Sequence, residues 1–309
     1  MNGAFISELL LSTVRMATPI LIVALAEVFS ERAGLVNIGL EGLMTFGALC
    51  GFLACYISGS PALGVFAGMA GGVAMNMIFA FCTITLCAEQ IVYGMALNIL
   101  APAVAAFMYR VYFGINASLP QGTKMQTVAI PVLKDIPFIG KLLFDQTPMV
   151  YFVYLMVVLS SVFFTRTKLG LNYKAVGEYP RAAETLGINV ILYKYIACVI
   201  CGALCGIGGA YLTTCYVNTF SEGVVAGRGF IALSAVIFGR WNAGGVLLAC
   251  LLFGFCDALQ LRLQINNPDT PYQLFQMIPY IATLVALAVF GIRKIGPKSV
   301  GLAYRREER

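Results

Sequence analysis

Ile191–Cys215 reads ILYKYIACVICGALCGIGGAYLTTC, a run with one charged side chain, Lys194. A helix needs about 20 mainly apolar residues to cross the hydrocarbon core of a bilayer, and this run is long enough. Gly202 and Gly206 inside it stand four residues apart, a spacing that lets helix backbones approach closely in lipid. Cys198, Cys201 and Cys205 have a cluster-ligand spacing, yet on a helix they are more simply small side chains on one face. The same ruler marks further spans at Leu10–Phe29, Leu35–Ile57, Ala62–Leu86, Ile91–Phe113, Met149–Phe164, Ala243–Leu261 and Tyr272–Phe290. Gly229–Phe238 is apolar but too short to cross. It reads as a half-helix, which a membrane protein tolerates only where it is buried or lines a cavity. The expected class is an all-α integral membrane protein, a polytopic bundle of about eight to ten spans with broken helices.

Composition agrees. Of 309 residues 60% are hydrophobic and 11% charged, and the mean hydropathy is +0.87; a soluble domain carries about 25% charged residues. The chain has no histidine, which excludes His-based triads and imidazole general bases. The net charge of +6 does not point to nucleic acid, because the basic residues flank apolar spans. Arg293, Lys294, Lys298, Arg305, Arg306 and Arg309 crowd the C-terminus, and Arg166, Lys168, Lys174 and Arg181 crowd the 165–190 loop. With Arg32, Lys194 and Arg240 on the same side, 13 of the 20 Lys and Arg lie inside, so the positive-inside rule predicts a cytoplasmic C-terminus and an external N-terminus. Glu8 and the lack of a basic leading region argue against a removable signal peptide.

One transmembrane domain over 1–309 is expected, with pseudo-repeated halves at about 1–145 and 146–309. The interval 114–147, with Pro120, Pro131 and Pro137, reads as an external loop carrying short surface helices. Gly39–Leu43 (GLEGL) is echoed by Ala226–Phe230 (AGRGF), each opening an apolar run in its own half. Interrupted segments at matching places in two halves point to a transporter's central site.

No enzyme constellation survives inspection. Gly291–Ser299 (GIRKIGPKS) has the outline of a phosphate loop, but Pro297 stands where that motif needs its lysine. Glu27, Asn37, Glu41, Gln90, Asn98 and Asp257 lie within or at the ends of spans. A charge at the bilayer centre costs about 2.5–3.5 kcal/mol on insertion scales, so these groups must face protein or water. Hydrogen bonding between helices or placement at the membrane interface accounts best for Glu27 and Asp257. Gly177–Asn189 (GEYPRAAETLGIN) places Pro180 where a helix can begin and Gly187 where it can stop, which predicts a short polar helix between two spans.

That loop resembles the coupling helix of permease subunits of bacterial ABC importers, in the branch serving ribose, other simple sugars, nucleosides and branched-chain amino acids. Phe29–Gly42 (FSERAGLVNIGLEG) looks like the nucleoside-permease form of that branch's first motif. Ala88–Asn98 (AEQIVYGMALN) is similar to its second and Gly229–Trp241 (GFIALSAVIFGRW) to its third. The resemblance runs from Ala17 to Gly301. It departs at Tyr93, where a small residue is expected, and at Arg228, where a neutral polar residue is commoner; both bear on substrate choice.

The resemblance implies a multi-pass subunit of the bacterial plasma (inner) membrane that is not itself an enzyme and binds no cofactor, ATP and Mg being held by a partner ATPase. The implied partners are that ATPase, a second homologous permease chain, and a lipoprotein or periplasmic substrate-binding protein. Gly177, Glu178, Pro180, Arg181, Ala182, Ala183, Glu184 and Gly187 are the implied ATPase-coupling residues. Arg181 and Glu184 would make polar contacts there, and the two alanines would permit close approach. Asn37, Glu41, Gln90, Tyr93, Asn98, Arg228 and Phe230 are the candidates for the substrate pathway. Glu41 and Arg228 are expected to approach each other across the pseudo-repeat axis or to share an aqueous vestibule. Nucleosides lead as substrate; simple sugars or a riboflavin-like compound are the alternatives within the family, and an ion-coupled secondary transporter is the rival outside it.

Overall fold

The computed structural model describes residues 3–114, 120–129, 144–267, 270–290 and 296–305. In chain order the helices are α1 (Gly3–Arg32), α2 (Leu40–Ser58), α3 (Pro61–Ala80), α4 (Gln90–Phe113), α5 (Pro148–Arg166) and α6 (Lys168–Glu178). They continue as α7 (Pro180–Thr185), α8 (Val190–Tyr211), α9 (Arg228–Phe238), α10 (Ala243–Asn266) and α11 (Tyr272–Phe290). Single π-turns, Phe81–Thr85 and Leu212–Tyr216, continue α3 and α8. The strands β1 (Val128–Ala129) and β2 (Asp145–Gln146) pair antiparallel. Among the described residues seven helices are long and apolar enough to cross a membrane, and α11 covers the eighth expected span. The protein is a multi-pass, all-helical membrane protein.

α1 is the most enclosed of these spans and packs against α8, α9 and α10, while α2 and α3 pack against each other and against α8. Small residues make this possible. A Cβ on Gly206 would stand 2.1 Å from the Gly68 carbonyl oxygen, so any side chain there would drive α8 off α3. Dispersion between such closely apposed backbones replaces the hydrophobic drive that lipid removes. The cysteines Cys198, Cys201 and Cys205 are buried in this packing.

Two expectations are corrected. The second span begins at Leu40 rather than Leu35, because 33–39 is a non-helical connection that turns at Gly34 (φ +82°). The 165–190 loop holds a second helix, α6, whose first turn is capped by the Thr167 side chain accepting from the Gly170 N–H at 2.9 Å. In the 114–147 interval the described residues form the β1–β2 pair; the expected surface helices, with Pro131 and Pro137, lie outside the described residues.

Candidate functional site

Two regions collect the residues singled out in the sequence. At one end of the bundle α7 forms as its sequence dictates. Pro180 sits in its first turn, the Ala183 N–H closes on the Tyr179 carbonyl at 3.0 Å, and Gly187 ends it at φ +81°. Asn189 then caps α8, its Oδ1 accepting from the Leu192 N–H at 3.1 Å. Arg181, Ala182, Tyr179 and Leu186 are exposed. Ala183 is not: it is buried with Val176 and Val190. Its small side chain therefore seats α7 on the bundle and is not free for the close approach to a partner expected of it. Glu178 ends α6, and the Glu184 carboxylate accepts from the Tyr304 hydroxyl.

The segment 296–305 lies over this helix. The Ser299 N–H donates to the Gly177 carbonyl at 3.0 Å, and Lys298 donates to the Tyr179 hydroxyl. That bond holds the Lys298 ammonium above its ordinary range. Between tail and α7 is a cavity of about 510 Å³ lined by Tyr179, Arg181, Lys298 and Tyr304. α6 ties the assembly to α1. A Cβ on Gly177 would meet the Arg32 carbonyl oxygen at 2.1 Å, and the Arg32 guanidinium donates to the Trp241 carbonyl at 2.9 Å and 3.2 Å. The Trp241 indole donates in turn to Glu31. Contacts thus run from α7 to the C-terminal end of the half-helix α9.

The second region lies where α2 and α9 begin. Both helices start at glycines, and the first N–H groups of a helix have no partner inside it. At α2, Asn37 Oδ1 accepts from the Gly39 N–H (2.9 Å) and Asn98 Oδ1 from the Gly42 N–H (2.8 Å). At α9, the Glu41 carboxylate accepts from the Gly227 N–H (2.7 Å) and the Gly229 N–H (2.8 Å), one on each oxygen. A Cβ on Gly229 would meet the Glu41 backbone nitrogen at 2.5 Å, so glycine is what lets the carboxylate reach both donors. A carboxylate at a helix N-terminus is also favoured by the helix dipole.

The candidate pathway residues divide accordingly. Asn37 is fully buried; its Nδ2 donates to Asn76 Oδ1 at 2.8 Å, and its backbone N–H to Glu27 at 2.9 Å. Gln90 is buried too, accepting from the Val36 N–H (2.8 Å) and donating to the Leu302 carbonyl (3.3 Å). Asn98 Nδ2 donates to the Ile38 carbonyl at 2.7 Å. These three amides hold the 33–42 connection in shape. Tyr93 and Phe230 are exposed, on α4 and α9. Glu41 and Arg228 are brought to one place, though the carboxylate bonds to the backbone on either side of Arg228 and the guanidinium donates to the Val225 carbonyl at 3.1 Å. Asn76, whose Nδ2 donates to the Cys198 carbonyl at 2.7 Å, was missed. It is a lone amide within an apolar run, and the rule that selected Asn98 selects it as well.

Residues 9–288 match the family described as branched-chain amino acid transport system / permease component. The nucleoside ABC transporter permease protein NupC of Lactococcus lactis subsp. cremoris is 37% identical over 93% of each chain. The guanosine ABC transporter permease protein NupQ of Bacillus subtilis is 36% identical over 96% of each. A second nucleoside permease of the same Lactococcus strain, NupB, is 27% identical over 78% of this chain and 69% of its own.

Proposed function

This chain belongs to the permease-component family of branched-chain amino acid transport systems, a transport subunit and not an enzyme, and from that premise we propose that it carries nucleosides inward through the bacterial plasma membrane. The observation that carries the substrate is the 36–37% identity, over nearly the whole of each chain, to permeases named for nucleosides and for guanosine. A partner ATPase binds ATP and Mg and docks on α7, using the exposed Arg181, Ala182 and Leu186. A second, different permease completes the pathway; two nucleoside permeases of one Lactococcus strain both match this chain at unequal identity, which fits a pair of unlike sisters. A lipoprotein or periplasmic binding protein delivers substrate on the outer side, and the C-terminus is cytoplasmic.

In this reading closure of the ATPase moves α7, and α6, Arg32 and Trp241 pass the movement to α9. The polar start of α9 against Glu41 then lies beside the route that opens and closes. Competition on uptake tests the substrate. Unlabelled adenosine and guanosine should each suppress uptake of labelled guanosine by whole cells. Suppression by ribose alone would overturn the nucleoside assignment.

A further inference from the structure

Five polar side chains gather around one cavity of this bundle. Between α1, α9, α10 and α11 lies a cavity of about 380 Å³ whose lining includes Met16, Arg228, Asp257, Gln260, Gln276 and Tyr280. Small-molecule sites run from about 300 to 1,000 Å³, so the space suits a compact ligand. Among the described residues Asp257, Gln260, Gln276 and Tyr280 have no hydrogen-bond partner. Arg228 uses only Nη1, on the Val224 and Val225 carbonyls, and its buried Nε has none. Asp257 and Gln260 are half-buried there and Gln276 and Tyr280 exposed, so their polar atoms are open to a ligand, whereas Asn37, Asn76, Gln90 and Asn98 are each hydrogen-bonded to protein.

The chemistry of the lining is specific in type. One cation and one carboxylate balance, so the cavity has no net demand for a charged ligand. Two amides present donors and acceptors side by side, as the edge of a heterocyclic base does. Met16 and Tyr280 supply flat or polarizable apolar contact for a ring. Met16 and Leu261 are shared with a neighbouring cleft, also about 380 Å³, that runs to Glu8 and Arg262. Those residues lie toward the start of α1 and the end of α10, at the opposite end of the bundle from α7. At its inner end the cavity adjoins the start of α9, since the Tyr280 hydroxyl stands 3.8 Å from a Cβ placed on Gly227, the residue whose N–H Glu41 holds.

We infer that this cavity is a base-recognition site within the single chain, where Asp257, Gln260, Gln276 and Arg228 read the edge of an uncharged nucleobase during passage. The inference rests on the nucleoside reading above and adds the residues that discriminate among bases. A site that reads hydrogen-bonding edges discriminates against a ligand that leaves its polar groups unpaired, so its removal changes preference and not merely rate.

The experiment uses the full importer in proteoliposomes, with initial uptake of labelled guanosine and labelled cytidine measured over a range of concentrations. Gln260→Ala, Gln276→Ala and Asp257→Asn should each change the ratio of the two KM values by fivefold or more. A fault in assembly or folding lowers both rates but leaves that ratio alone. Should Asp257→Asn fail to insert, the two glutamine variants decide. Wild-type uptake of both nucleosides with unchanged ratios in the inserted variants overturns the site while leaving the nucleoside reading intact. A wild-type importer that carries neither nucleoside overturns both.

Discussion

The starts of α2 and α9 pose one physical problem and receive two answers. Each helix begins at a glycine inside the bundle and must satisfy N–H groups that its own carbonyls cannot reach. At α2 the acceptors are two neutral amides, each held from behind: Asn37 by Asn76 and Asn98 by the Ile38 carbonyl. At α9 a single carboxylate, Glu41, holds both donors and is itself carried on the first turn of α2. The first junction is braced from several elements and reads as fixed. The second hangs on one side chain between two helices, next to a polar cavity, and reads as the one that can release. A charged acceptor makes the stronger bonds, and its loss is correspondingly abrupt.

Removing the charged cap should therefore cost most. Glu41→Ala strands two amide donors of α9, a loss of about 3–6 kcal/mol given that bonds to a charged group are worth roughly 1.5–3 kcal/mol each. Thermal unfolding in detergent should show it, and Glu41→Gln, with one acceptor oxygen left, should recover about half. Equal stability of wild type and Glu41→Ala would erase the distinction between the junctions. Asn98→Ala should cost less, about 2 kcal/mol, since it orphans one neutral donor and one carbonyl at α2; a loss larger than that of Glu41→Ala would invert the comparison. The smallest effect belongs to the pair of charges. Because Glu41 bonds to the backbone beside Arg228 and not to its guanidinium, the double change Glu41→Gln with Arg228→Gln should depart from additivity by no more than about 1 kcal/mol. A coupling of 3 kcal/mol would mean the two form a direct ion pair.

How much of this the sequence disclosed depends on the length of the signal. Spans of about 20 apolar residues announce themselves, and the helices follow them closely. The start of α2 was legible only as apolar residues, because Val36 and Ile38 look like helix while Asn37 within the turn, and Glu27 and Gln90 from outside it, fix its shape. α6 is short and amphipathic, with no apolar run to mark it. α7 was readable because Pro180 and Gly187 bracket it. Among site residues, an amide in an apolar run is a sound flag, but it does not say whether the partner is backbone or ligand; Asn37, Gln90 and Asn98 turned out to hold backbone. Asp257, read in sequence as bonded between helices or placed at the interface, lines the open cavity. Gln276 and Tyr280 gave no signal at all, being ordinary polar residues near the start of a span.

The central proposal is ATP-driven passage of a nucleoside through this chain. The direct measurement is guanosine accumulation in proteoliposomes holding the chain, its sister permease and the ATPase, with loaded binding protein on the side that faces the periplasm. Uptake should require ATP, proceed without any ion gradient, and fall to background when the exposed Leu186 of the α7 segment is changed to Asp. Accumulation that continues without ATP, or that follows an imposed proton or sodium gradient, would contradict it.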